Sequence, residues 1–256
     1  MKGRPFKMRT LPAQIMMHAV ATLFLWTGSA SAQGLDRDTL LTDAPAVPAK
    51  GTLRVSGAGV ATENSDSSSS SFTGTIGWSP IENLHADVGA YFQSGAQGPA
   101  ARVRYQFLNQ FSHGVDLSTG ARFKTVGFHP DQGELEFIVA AGRRFGRLEV
   151  VLNGVFGVET GGQSGKDIEA KAFAGWRFNE AVRAGVDGRL QAEVGDEAQP
   201  AGATPVTGRD YDLTVGPSVS WMVTRTIQLQ GLVGMAQPKK TDITSPTAAV
   251  YASIDF

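Results

Sequence analysis

From Thr52 to the last residue the chain alternates apolar and polar positions with a period of two. Leu53, Val55, Gly57, Gly59 and Ala61 share one phase, and Phe72, Gly74, Ile76 and Trp78 share the next. Leu84, Ala86, Val88, Ala90 and Phe92 follow, with His85, Asp87 and Gly89 between them. Successive side chains of an extended strand point to opposite faces, so each run predicts a strand with one apolar and one polar face. The pattern recurs in 101–107, 115–123, 135–141, 148–156, 168–178, 182–192, 211–221, 227–235 and 248–256. In 135–141 and 148–156 the second phase is itself partly apolar, through Ile138, Ala140, Val151 and Val155, so the faces are least distinct there.

The connections alternate as well. Those after the odd-numbered runs are longer and rich in Gly, Ser, Pro and Asp, such as the serine run 67–71 and the loop 195–208. Those after the even-numbered runs are tight turns, such as Gly146-Arg147 and Asn179-Glu180. Aromatic residues sort with them. Trp78, Phe107, Trp176, Phe178, Trp221 and Phe256 stand beside tight turns or the C-terminus, whereas Phe72, Phe92, Phe128, Phe156 and Tyr211 stand beside long connections. Two aromatic girdles at two membrane interfaces account for that sorting; the scattered core of a soluble sandwich does not.

The last run ends on an aromatic: Ala248, Val250, Ala252, Ile254 and Phe256 alternate with polar positions, Tyr251 being the departure. A terminal Phe preceded by apolar residues at every second position resembles the closing strand of bacterial outer-membrane β-barrels of the porin-like class. The resemblance covers the N-terminal signal and nearly all of the remaining chain, and no residue-by-residue match selects a subfamily. It implies an all-β, transmembrane, antiparallel up-and-down β-barrel of about twelve strands in the outer membrane of a Gram-negative bacterium, with both termini periplasmic. It also implies contact with outer-membrane lipid and lipopolysaccharide, and recognition of the C-terminal strand by the barrel-assembly machinery.

The first residues read differently. Lys2, Arg4, Lys7 and Arg9 precede the apolar run 15–26 and then Gly28-Ser29-Ala30-Ser31-Ala32. This is a secretory signal peptide over 1–32, removed after Ala32. Residues 33–51, with Pro48 and the acidic Asp36, Asp38 and Asp43 but no sustained periodicity, predict a flexible periplasmic N-terminal segment, with a short plug or docking strand as the alternative. The barrel then occupies 52–256. Without the four basic residues of the signal, the 23 basic and 24 acidic residues become a net charge of −5, which gives nucleic acid no purchase. Cysteine is absent, which excludes disulfides and thiol catalysis.

The polar phase projects into the lumen, so its charges are the candidate site. Arg102, Arg104, Arg122 and Lys124 form a basic patch on two neighbouring strands and meet Glu134 and Glu136 on the next; Lys171, Arg183, Asp187 and Arg189 follow. One reading is an electrostatic constriction favouring anions. The other is a lattice of cross-strand ion pairs that rigidifies a narrow barrel. No catalytic or metal-binding set emerges. His85 and His113 lie near tight turns, and His129 near Asp131 has no Ser partner. Glu193, Asp196 and Glu197 lack the spacing of a calcium loop, and Lys239-Lys240 are a candidate contact for lipopolysaccharide phosphates. No cofactor is expected. The reading is an outer-membrane pore for passive diffusion of small solutes, with a preference for anions. Its alternatives are a closed structural barrel whose loops bind a partner or lipid, and, with less in its favour, a lipid-modifying enzyme.

Overall fold

The computed structural model describes residues 35, 37–63, 68–93, 96–127, 129–160, 165–194, 211–239 and 241–256. The expected signal peptide, the whole 195–208 loop with Asp196 and Glu197, Phe128 and Lys240 lie outside these residues.

Twelve strands form in chain order: β1 (Leu53–Glu63), β2 (Ser68–Trp78), β3 (Leu84–Gln93), β4 (Ala96–Leu108), β5 (Asp116–Val126), β6 (His129–Phe145), β7 (Leu148–Glu159), β8 (Lys166–Arg177), β9 (Val182–Glu193), β10 (Tyr211–Met222), β11 (Ile227–Gln237) and β12 (Ser245–Asp255). Each pairs antiparallel with the next, and β12 returns to β1, closing an up-and-down barrel. Closure removes the unpaired edges that an open sheet would expose. It is made by the register Val55 opposite Ile254 and Gly59 opposite Val250. Beyond the ladder, Phe256 N–H donates to the Leu53 carbonyl at 2.8 Å. The terminal aromatic thus sits where the two ends of the sheet join. That end of the barrel is called the terminal end here, and the opposite one the loop end.

The period-two pattern becomes an inside and an outside. Along β8, Ile168, Ala170, Ala172, Ala174 and Trp176 face outward and exposed, while Glu169, Lys171, Phe173 and Gly175 are buried inside. Trp78, Phe107, Trp176, Phe178 and Phe256 are exposed at the terminal end, with Trp221 half-buried beside them. The tight turns follow local rules. Phe145 pairs with Leu148 across the two-residue loop Gly146-Arg147, and Gly146 has φ of 62°, the left-handed value such hairpins require. Two connections differ from expectation. Most of the serine run is strand, since β2 starts at Ser68 and the ladder with β1 extends to Glu63 opposite Ser68. The connection after β4 contains one helical turn, Gln110–His113, capped by the Asn109 side chain.

The principal correction concerns residues 33–51. Instead of a flexible periplasmic segment, residues 37–48 pass inside the barrel, and Arg37, Thr39, Thr42, Asp43 and Ala44 are buried there. The apolar second phase of β6 and β7 explains part of this. Ile138, Ala140, Val151 and Val155 point inward together with Phe173, making an apolar patch in a polar lumen. Leu35 packs on Val151 and Phe173, with Ala46 against them. Fully burying one leucine side chain is worth about 1.5–3 kcal/mol, and a patch inside the barrel can be covered only from inside. Gly142 gives the room: a Cβ there would lie 2.5 Å from Pro45 Cγ.

Candidate lumen site

The inner segment is held mainly by its carboxylates. Arg102, on β4, reaches three at once: Nη1 to Asp43 Oδ1 at 2.6 Å, Nη2 to Asp38 Oδ2 at 2.9 Å, and Nε to Asp87 Oδ2 at 2.9 Å. The planar fork of arginine suits such multiple pairing. Arg104 Nη1 binds Asp38 Oδ1 at 2.9 Å, and Lys171 Nζ, on β8, binds Asp43 Oδ2 at 3.1 Å. Burial pushes the Asp38 carboxyl up, but the Arg102 and Arg104 charges outweigh it and hold the group well below the usual carboxylate range. Asp43 is likewise raised by burial and then held low by Lys171 and Arg102.

Hydrogen bonds fix the rest of the path. Thr39 Oγ1 donates to Asp187 Oδ2 at 2.6 Å, and the Leu41 N–H donates to the same oxygen at 3.1 Å. Asn153 accepts from the Asp43 N–H at 2.7 Å and donates to the Asp43 carbonyl at 2.9 Å. Val47 N–H donates to Gln106 Oε1 at 3.1 Å, and Arg37 pairs with Asp255 at 2.7 Å near the terminal end. The chain therefore rises from the terminal end to about the level of Asp43 and returns to β1.

Two further networks line the wall. Arg122 pairs with Glu136, and Lys124 Nζ lies 2.6 Å from Glu136 and 2.9 Å from Glu134. Glu169 takes Arg189 and, at 3.3 Å, Lys171. Toward the terminal end Glu149 has no exposed surface and gathers Arg144 at 3.0 Å, Arg177 at 3.3 Å and Arg183 at 3.0 Å. All ten expected lumen charges are therefore inside the barrel, and each of the seven cations among them has a described carboxylate partner; Arg104 takes its own from the inner segment, and Arg102 and Lys171 do so in part. The basic patch carries no surplus of positive charge while residues 38–43 are in place. A sequence reading that leaves this segment outside misses Asp38, Asp43 and Thr39; the signal that finds them is the pairing of an acidic leader with inward apolar residues on β6–β8.

Between the segment and the loop end lies a cavity of about 740 Å³. Its floor is Asp38 to Asp43, and its walls include Ser56, Thr73, Thr75, Tyr91, Arg122 and Lys124. Arrangements for chemistry are poor. Ser79 Oγ is 3.0 Å from His85 Nδ1 and His85 Nε2 is 3.9 Å from Asp87, but Ser79 is fully buried and the second distance is too long for a hydrogen bond. Among the described residues there is no group of three side chains able to hold a metal ion. Lys239, the described half of the expected lipopolysaccharide contact, pairs with Glu193.

No family model matches this chain, and no curated protein does. Solved structures do. The NanC porin superposes with a TM-score of 0.59 over 79% of this chain and 100% of its own, at 9% identity. The KdgM porin follows at 0.54 over 79% and 99%, at 10% identity. An outer membrane channel from Pseudomonas putida F1 gives 0.53 over 82% and 97%, at 14% identity. At such identities the likeness is one of fold: a closed, twelve-stranded, all-antiparallel porin-like barrel.

Proposed function

We propose that this protein is an outer-membrane pore for small solutes, with the terminal end facing the periplasm and the loop end facing outward. The observation that carries the reading is the division of the barrel wall: an apolar, aromatic-rimmed outside and a polar, charged inside that opens into a 740 Å³ cavity. Such a wall is stable only with hydrocarbon on one side and water or polar solute on the other. Support comes from the shared fold of the porins above, one of which, KdgM, was solved with a disordered oligogalacturonate.

The test is single-channel recording of the refolded, secreted chain in a planar bilayer. Discrete conductance steps support a pore. A second reading, a closed barrel whose function lies in its loops, is favoured by the segment inside the lumen. Absence of conductance from folded protein, both intact and with the segment displaced, would decide for it.

A further inference from the structure

The lumen has two unlike walls. On one stand six cations: Arg102, Arg122, Lys124, Lys171 and Arg189 pair with four strand carboxylates, Asp87, Glu134, Glu136 and Glu169, and Arg104 pairs with none of these. Asp38 and Asp43 bring the carboxylates to six. Arg104 depends on them most: it is 2% exposed, its Nε and Nη2 have no partner, and its described carboxylate is Asp38. On the other wall, β10, β11, β12, β1 and β2 turn no charged side chain inward between Asp212 near the loop end and the Arg54–Asp255 pair near the terminal end. Their inward positions mix small and apolar residues, such as Ala58, Gly216, Leu232 and Ala249, with hydroxyls and amides, among them Ser56, Thr73, Thr75, Ser218, Gln228 and Gln230. Several of these are buried with unmet hydrogen-bonding capacity: Ser218 Oγ, Gln228 Oε1 and both side-chain polar atoms of Gln230.

Resting on the pore reading, we propose that Asp38 and Asp43 are specificity-determining residues: by cancelling the cationic wall they make the lumen a path for small neutral, hydroxylated solutes of the sugar and polyol class, and withhold it from anions. Hydroxyl and amide side chains both donate and accept, as a sugar hydroxyl does, so such a solute exchanges water for the uncharged wall without an electrostatic penalty. Among the described residues of the cationic wall an anion finds no unpaired cation to replace its water, and capturing one means breaking a buried ion pair and stranding the carboxylate. Removing the two aspartates reverses the balance, because Arg102, Arg104 and Lys171 then face the lumen with two fewer counter-charges.

The experiment compares intact protein with Asp38→Asn/Asp43→Asn in proteoliposomes. Swelling is followed in glucose and in galacturonate, which differ by a carboxylate at similar size, and the zero-current potential is read in a KCl gradient. Intact protein should admit glucose about tenfold faster than galacturonate, the ratio that 1.4 kcal/mol of discrimination gives. Its zero-current potential should lie near zero. The double variant should lose that ratio and shift its potential toward chloride preference. Gly142→Val, which crowds Pro45 and displaces the segment without altering a charge on the strands, should shift it the same way. Equal entry of both solutes into liposomes carrying intact protein would overturn the proposal, as would unchanged potentials in both variants or conductance confined to them. If none of the three folded proteins passes either solute, the pore reading fails and the specificity proposal falls with it.

Discussion

Arg102 and Asp43 lie 2.6 Å apart although 59 residues separate them in the chain, and their pair ties the segment before the barrel to its fourth strand. Both side chains are largely buried, and the same guanidinium also holds Asp38 and Asp87.

Removing one side of that cluster should loosen the segment. Breaking a buried pair by deleting one partner costs about 3 kcal/mol, because the other is left buried and uncompensated. Arg102→Gln is expected to raise the reactivity of a single cysteine introduced as Thr42→Cys, readable cleanly because the natural chain has none. Adding Asp43→Asn to Arg102→Gln should cost less than the two changes separately, and strict additivity in that double-mutant cycle would deny the coupling.

Acid should act in the same direction. Burial raises the Asp38 and Asp43 carboxyls, but Arg102, Arg104 and Lys171 more than offset it, so both are depressed while the segment is in place. A depressed carboxylate contributes stability that is complete above its free value, about 3.9, and is lost as pH falls through the depressed one. Thr42→Cys labelling, divided at each pH by the rate of the same thiol in unfolded chain because only the thiolate reacts, should be flat from pH 8 to about 5 and rise below about 4. A rise of that ratio on the alkaline side instead would contradict the ion-pair account.

On the outside, Val186 stands midway along β9, exposed, opposite Ala174 and Pro217. Val186→Arg should cost about 2–4 kcal/mol in urea unfolding from liposomes if this surface meets the bilayer near its midplane. No change would mean that the apolar face does not contact hydrocarbon.

At the seam, deleting Phe256 removes its two backbone hydrogen bonds with Leu53 and the aromatic at the terminal end. The yield of heat-modifiable, folded barrel in cells should drop, while the conductance of molecules that do fold should be unchanged. A normal yield would argue against recognition of the C-terminal strand during assembly.

Much of this architecture was legible from periodicity. A strand's facing alternates by covalent geometry, so Ile168, Ala170 and Ala172 on one phase and Glu169 and Lys171 on the other announce their sides without any tertiary information. The expected lumen charges could be named for the same reason. What each charge meets could not. Arg102 with Arg104, and Arg122 with Lys124, read as a free basic patch along the chain, yet their carboxylates come from β3, β6 and the segment before β1.

The sequence by itself determined the strand count, the faces and the sites of the tight turns, because these depend on neighbours one or two residues apart. Only the tertiary structure decided that residues 37–48 lie inside the barrel and that the expected lumen cations meet carboxylates. Both depend on contacts such as Asp43 with Lys171, 128 residues apart, and on a glycine at 142 that leaves space for Pro45. Period-two alternation carries no information about such pairings, since a segment without periodicity reads the same whether it floats in water or fills a pore.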